Sequence, residues 1–302
     1  MKKLSEKQKR YWVEYAKRSF CNRVKRKYKY ITLKAITERT QNRVLVAPTN
    51  MNLQENYEET ATFFNKLRKL CTDRTSPFKI DFTKIQNISP AAALIFTAEI
   101  DRIKKTRLFK KFNLSVLDFE SWNENVKLQL RDMGMFEILD VKNVPQNFNN
   151  IENKTDEIFL KFQSGYMASG EDVTKLKKLI SELTYFPEGQ QLQAGLTEAM
   201  TNSIHHAYPI EYLQNNMIKE KLWWMSASIN LRNKILTVMF YDEGVGIPKT
   251  LPKTWPELFK SIAGFTGDAE IIQAATRTKR TSTKKTNRGR GLLDIKNYTH
   301  IP

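Results

Sequence analysis

The apolar positions of the chain repeat with two different periods, and the places where one gives way to the other outline its elements. Runs of strand length and strand pattern occur at Val44-Leu-Val-Ala-Pro48, Phe78-Lys-Ile-Asp-Phe82, Leu114-Ser-Val-Leu-Asp118 and Glu157-Ile-Phe-Leu-Lys-Phe162. Leu222 to Leu231 and Lys234 to Tyr241 read as two further strands, joined at Arg232-Asn233 by a tight hairpin. Helical spacing recurs from Tyr57 to Leu70, with Phe63, Phe64, Leu67 and Leu70 on the buried side. It recurs after Ser89-Pro90, a hydroxyl N-cap followed by proline at the first helical position, and runs through Leu94, Ile95, Ala98 and Ile103. Glu124 to Met133 is helical and is closed by Gly134. Glu171 to Thr184 carries Val173, Leu176, Leu179, Ile180 and Leu183 as its apolar stripe. The first half therefore reads as a strand-helix-strand-helix α/β layer, and the second as an α+β sandwich with helices on one face of a mixed sheet.

Composition and charge divide the chain further. Its 302 residues suit about two domains, and a hydrophobic fraction of 40% allows a proper core. The net charge of +18 is concentrated partly in residues 1–43, a basic helical arm with Tyr11, Trp12, Tyr15, Phe20, Tyr28 and Tyr30 interleaved. Cations with stacking rings suit RNA or single-stranded DNA. An arm whose aromatics pack on the body is the favoured reading, because no recognised nucleic-acid module is present. Residues 44–140 form the α/β domain. Residues 141–156, rich in Asn, form a linker, and residues 157–302 form the second domain. No run approaches the roughly 20 apolar residues of a membrane span, and the N-terminus has no apolar stretch behind its charges. Cys21 and Cys71 are isolated, which fits a reducing cytoplasm better than a disulfide framework.

The candidate chemistry centres on Leu196-Thr-Glu-Ala-Met-Thr-Asn-Ser-Ile-His-His-Ala-Tyr208. As a helix, it places Leu196, Ala199, Met200, Ser203 and Ala207 on one face and Glu198, Asn202, His205 and His206 on the other. A carboxamide oxygen can share a hydrated Mg²⁺ with phosphate oxygens, and a carboxylate one turn away can orient or deprotonate a water or hydroxyl. The alternative is a polar helix face that meets solvent. Two glycine-bearing stretches follow. Asp242-Glu-Gly-Val-Gly-Ile-Pro248 comes after a strand, where glycines let backbone approach a ligand; Arg288-Gly-Arg-Gly-Leu-Leu-Asp-Ile295 can open a helix toward phosphate.

Together these three boxes resemble the GHKL ATPase superfamily, which includes the gyrase-type, histidine-kinase and MutL-type ATP-binding domains. Glu198-x-x-x-Asn202 matches the N box, Asp242-x-Gly244-x-Gly246 the first glycine box, and Gly289-x-Gly291-Leu292 the second. The run TEAMTNSIHHAY is similar to the anti-sigma-factor serine kinase branch. The resemblance covers roughly residues 170–300 and implies a Bergerat-type sandwich that binds ATP with Mg²⁺. It implies that Asn202 ligates the metal and Glu198 acts as general base. Asp242 would accept a hydrogen bond from the adenine amino group. Gly244 and Gly246 would shape the adenine pocket, and Gly289, Arg290 and Gly291 would meet the phosphates. His206 also matches, although a histidine there equally caps or packs.

Residues 40–140 resemble the STAS (anti-anti-sigma) domain at Asp81-Phe-Thr-Lys-Ile-Gln-Asn-Ile-Ser-Pro90 and at Val126…Leu130-Arg-Asp-Met-Gly-Met-Phe-Glu-Ile138. Pro90 and Ala91 stand where that family has a phosphorylatable hydroxyl, which favours a docking module over a phospho-switch. The GHKL family also has further strands after its second glycine box, whereas this chain stops at Pro302, so the expectation is either a fragment of a longer protein or an unusually short sheet. Between the glycine boxes, residues 247–288 read as a lid: turn-rich from Pro248 to Pro256, then basic and hydroxyl-rich from Arg277 to Arg288. The resulting expectation is a cytoplasmic Mg²⁺-dependent ATP-binding protein that hydrolyses ATP to drive a lid and domain switch. It would work on a protein partner, and homodimerisation is open. The alternatives are an anti-sigma-type serine/threonine kinase and a non-enzymatic basic module that binds nucleic acid.

Overall fold

The computed structural model describes residues 44–72, 78–105, 115–138, 148, 155–187, 189–215, 221–254 and 267–277, a mixed α/β structure. The basic arm, the second glycine box with Gly289, Arg290 and Gly291, and residues 278–288 of the basic part of the lid lie outside the described residues. No helix among the described residues is long and apolar enough to cross a membrane.

In the N-terminal part, β1 (Val44–Val46), β3 (Lys79–Asp81) and β5 (Ser115–Leu117) form a parallel sheet in the order β1-β3-β5. The two-residue strands β2 (Asn50–Met51) and β4 (Asn87–Ile88) pair in parallel beside it. Helices α1 (Tyr57–Thr72), α2 (Pro90–Lys105), α3 (Glu124–Asp132) and α4 (Met135–Ile138) complete this part. The Ser89 cap forms as its chemistry predicts: its hydroxyl oxygen accepts from the Ala92 amide at 3.3 Å. Asn123 caps α3 by accepting from the amides of Asn125 and Val126, and that helix closes at Gly134, whose amide reaches the Arg131 carbonyl. The core is aromatic: Phe63, Phe82, Phe96 and Trp122 lie within 4.7–6.3 Å of one another in successive ring contacts.

In the C-terminal part, β6 (Glu157–Phe159) and β7 (Gln163–Gly165) pair with one edge of β8 (Trp223–Asn230), and β9 (Ile235–Asp242) pairs with its other edge. Every one of these pairings is antiparallel, so the mixed character expected of this sheet is not seen among the described strands. The expected two-residue hairpin is a four-residue turn, Leu231 to Lys234. Asn230 accepts the Asn233 amide on its side-chain oxygen and Lys234 takes a left-handed φ of 53°, which lengthens the loop. Helix α5 (Gly170–Leu183) buries Val173, Leu176 and Ile180, but Leu179 and Leu183 of the expected stripe are 36% and 40% exposed. Helix α6 (Gly189–Asn202) packs beside it and continues into a π-helical turn (Ser203–Ala207), a short α7 (Ile210–Asn215) and then β8.

The segment read as turn-rich after Pro248 is instead helix α8 (Ile247–Thr254), and α9 (Asp268–Arg277) follows within the expected lid. Pro248 sits in the first turn of α8, where no amide proton is required. Pro252 forgoes one intrahelical bond two residues before the helix ends.

Strand β8 explains how the two parts join. Seven of its eight residues are buried, so both of its faces are covered. Trp223, Met225 and Ala227 belong to the core under α5 and α6. Trp224 belongs to the N-terminal core, with Leu222, Met239 and Phe159, and α2 packs on that face against β8 and β9. The Trp224 indole donates to Asp101 of α2 at 2.8 Å, and Lys105 pairs with the same carboxylate at 2.7 Å. One hydrophobic cluster thus runs from the parallel sheet across α2 into the antiparallel one.

Candidate functional site

Helix α6 is amphipathic as its spacing predicts. Leu192, Leu196 and Met200 of α6 are buried at four-residue steps, and Ser203 continues the row. Glu198 and Asn202 lie half-buried on the other side. Asn202 ends the α-helical stretch, and the next five residues widen into a π turn, a distortion that recurs at functional sites. His205 is exposed on that turn and His206 half-buried. Burial lowers the His206 pKa, helped by the nearby charges of His205 and Lys221.

The first glycine box is built onto this turn. Asp242 is the last residue of β9 and stands opposite Trp223 in the ladder. Its Oδ1 accepts the Gly244 amide at 2.9 Å and its Oδ2 accepts the Ser203 hydroxyl at 2.5 Å. The Val245 amide donates to the Ala207 carbonyl at 2.8 Å. The Glu243 amide donates to the Tyr208 hydroxyl at 2.9 Å, and that hydroxyl donates in turn to the Leu222 carbonyl. Burial is the main reason the Tyr208 phenol is pushed far above its ordinary pKa, so it remains a donor at any ordinary pH.

Glycine is required at two positions. A Cβ on Gly244 would fall onto the Ala207 side chain and lie 2.5 Å from its carbonyl oxygen. Gly246 has a φ of +82°. Helix α8 starts immediately after it and packs on the π turn.

The structure therefore brings Glu198, Asn202, Asp242, Gly244 and Gly246 onto two directly bonded segments. Among the described residues, the Asn202 carboxamide makes no hydrogen bond, which leaves its oxygen available to a cation. Asp242 uses one lone pair on each oxygen and keeps acceptor capacity for a ligand. No group of three or more His, Cys, Asp or Glu side chains gathers among the described residues as a metal cage. The Mg²⁺ expectation does not need one, because it rests on Asn202 and phosphate oxygens.

Three participants escaped the pattern of the sequence. Ser203 reads there only as part of the buried face, and Tyr208 only as the end of a motif. The third is Glu243, whose side chain turns away from the glycine box into a charged cluster beneath β9. Its Oε2 pairs with Arg102 Nε at 2.5 Å, and its Oε1 lies 3.6 Å from Arg68. Glu99, 1% exposed, takes Arg68 at 2.6 Å and Arg102 at 3.0 Å. The Tyr241 hydroxyl donates to Glu99 and accepts from Arg68. Burial first, and then the Glu99 charge, push the Glu243 carboxyl up to about 7, with Arg102 and Arg68 pulling the other way. Nothing in the spacing of these residues signals the cluster, since its members come from residues 68, 99, 102, 241 and 243.

In comparisons with known proteins, the chain matches no family model, no curated protein and no solved structure.

Proposed function

We propose that this chain is a Mg²⁺-dependent ATP-binding protein of the GHKL type, with a STAS-like domain ahead of a Bergerat-type sandwich, and that it hydrolyses ATP to drive a lid and domain switch. The observation that carries this reading is the direct bond between the N-box helix and the glycine turn, Ser203 to Asp242. It ties the segment that carries Asp242 to the helix end that carries Asn202, with Glu198 one helical turn before Asn202. Those three groups answer three different needs of a nucleoside triphosphate.

Asp242 accepts the adenine amino group on its spare lone pairs, with its orientation already held from two sides. Asn202 offers an oxygen to the cation, which neutralises phosphate charge when bound. Glu198, one turn earlier, takes the proton of the attacking water as its oxygen bonds to the γ-phosphorus and the bond to the ADP oxygen breaks. Positioning and electrostatics supply most of the rate in such transfers. Gly289, Arg290 and Gly291 are assigned to the phosphates on the resemblance alone. The similarity of TEAMTNSIHHAY to the anti-sigma kinase branch favours a second reading, in which a protein hydroxyl replaces water as the attacking group.

The test is Mg²⁺-dependent ATP binding and phosphate release by the full chain, beside Glu198→Ala and Asp242→Asn. Binding and release by the parent, binding without release by Glu198→Ala and binding weakened at least tenfold by Asp242→Asn support the reading. A parent that binds no ATP with Mg²⁺ present refutes it. ATP binding without phosphate release, with labelled phosphate passing to a protein hydroxyl, moves the conclusion to the kinase.

A further inference from the structure

Glu243 is the residue next to the proposed adenine contact, yet its side chain belongs to the opposite side of the sheet. There, among the described residues, it meets groups of the N-terminal part and their sheet neighbours, with Tyr212 of α7 beside them. The charged and titratable groups around it are Arg102 and Glu99 on α2, Arg68 on α1 and Tyr241 on its own strand. Tyr212 of α7 donates to its backbone carbonyl at 3.0 Å, and Tyr208 receives its amide. The glycine turn is therefore held from both sides: by the π turn through Ser203, Ala207 and Tyr208, and by α2 through Glu243.

We propose that Glu243 and Arg102 are positioning residues for the nucleotide site, an ion pair through which the N-terminal domain holds the Asp242-Gly244 turn in its ligand-accepting place. The proposal rests on the nucleotide-site reading above. The physical basis is leverage over a short distance. One peptide unit separates the two carboxylates, so any shift of α2 that moves Arg102 is transmitted to Asp242 by the backbone between them. A charge buried at this depth is costly to hold unless its partners stand against it. The pair consequently resists being pulled apart, and α2 is itself fixed in the shared core by the Trp224–Asp101 bond. Two sites coupled in this way exchange free energy reciprocally: nucleotide binding stabilises the docking of α2 as much as docking favours nucleotide.

The test uses the full chain as wild type, Glu243→Gln, Arg102→Gln and the double variant. The first readout needs no nucleotide. Hydrogen exchange of the amides of Glu243, Gly244 and Val245 is expected to speed up roughly tenfold in each single variant. Amides in the middle of α6 are expected to stay as they are, which separates a local effect from misfolding. Unchanged exchange at residues 243–245 in both single variants overturns the proposal, whatever the protein does with ATP. The second readout is ATP affinity from pH 6 to pH 8. Wild type is expected to bind more tightly as Glu243 ionises, relative to Glu243→Gln, by several-fold. Comparing the two profiles cancels the titration of the ATP phosphates themselves. Double-variant affinity equal to that of either single variant supports the pair acting as a unit, and additive losses overturn it. A wild type that binds no ATP refutes the proposed function, and the exchange result still decides the positioning role.

Discussion

The Ser203 hydroxyl donates to Asp242 Oδ2 at 2.5 Å, joining residues 39 apart in sequence at the point where α6 widens into its π turn. Ser203 is fully buried, so this bond is made away from water, where a hydrogen bond to a charged group is worth more than one between neutral groups. The remaining Asp242 oxygen is occupied by the Gly244 amide. The carboxylate is thus oriented by two donors from two different segments before any ligand arrives, and preorganisation of this kind reduces the cost of binding.

Asp242→Asn tests that orientation. An amide side chain keeps its oxygen for the Gly244 amide and turns its nitrogen to the Ser203 hydroxyl, which can accept it, but it loses the charge and the lone pairs of the second oxygen. A bond to a charged group is worth about 1.5–3 kcal/mol, so ATP binding is expected to weaken roughly 10- to 100-fold. Titration calorimetry on folded protein checks it, and unchanged affinity removes Asp242 from the site.

Gly244→Ala addresses the closeness of the two segments. The added Cβ lands on Ala207, backbone as well as side chain, so relief requires the glycine turn and the π turn to separate. Overpacking of this sort costs about 1–3 kcal/mol. A lower midpoint in urea with an unchanged slope is the expected result. An unaltered midpoint would show that the two segments part freely.

Glu198→Ala separates chemistry from binding. A positioned general base contributes about 10²–10⁴-fold, and the cation contact assigned to Asn202 does not involve it. ATP affinity is expected to hold within a few-fold while phosphate release falls at least 100-fold. Loss of both together would assign Glu198 to holding the site together instead.

What the sequence made legible follows from how local each feature is. The capping serine of α2, the closing glycine after α3 and the buried row Leu196, Met200, Ser203 are short-range matters of spacing and stand in the structure as read, while Ala199 and Ala207, read onto the same face, are only half-buried. The π turn was not legible, because one extra residue per turn leaves the apolar spacing almost unaltered. Helix α8 was hidden by its two prolines, which read as breakers although one of them occupies the tolerated first turn. Leu179 and Leu183 fit the period but not the face, since α6 and the sheet cover only part of α5. The cluster of Arg68, Glu99, Arg102 and Glu243 depends wholly on how α1, α2 and β9 come together, and no periodicity records that.

Two titrating groups in this region act on stability in opposite senses, and the signs can be worked out separately. The Glu243 carboxyl is raised from 4.5 to about 7 by burial and by Glu99. A raised acid contributes stability that is fully present below its unfolded value and is lost as pH rises through the folded one. Its contribution therefore declines between about pH 4.5 and 7. His206 is lowered below 6.5, chiefly by burial, so its contribution is present above 6.5 and is lost as pH falls below that value. Urea midpoints from pH 4.5 to 8 for wild type, Glu243→Gln and His206→Gln distinguish the two. Glu243→Gln is expected to remove the decline on approaching neutrality, gaining on wild type as pH rises. His206→Gln is expected to gain on wild type as pH falls from 6.5. Parallel curves for wild type and Glu243→Gln would mean that Arg102 and Arg68 keep that carboxylate ionised throughout, and the pH arm of the positioning role would lose its basis.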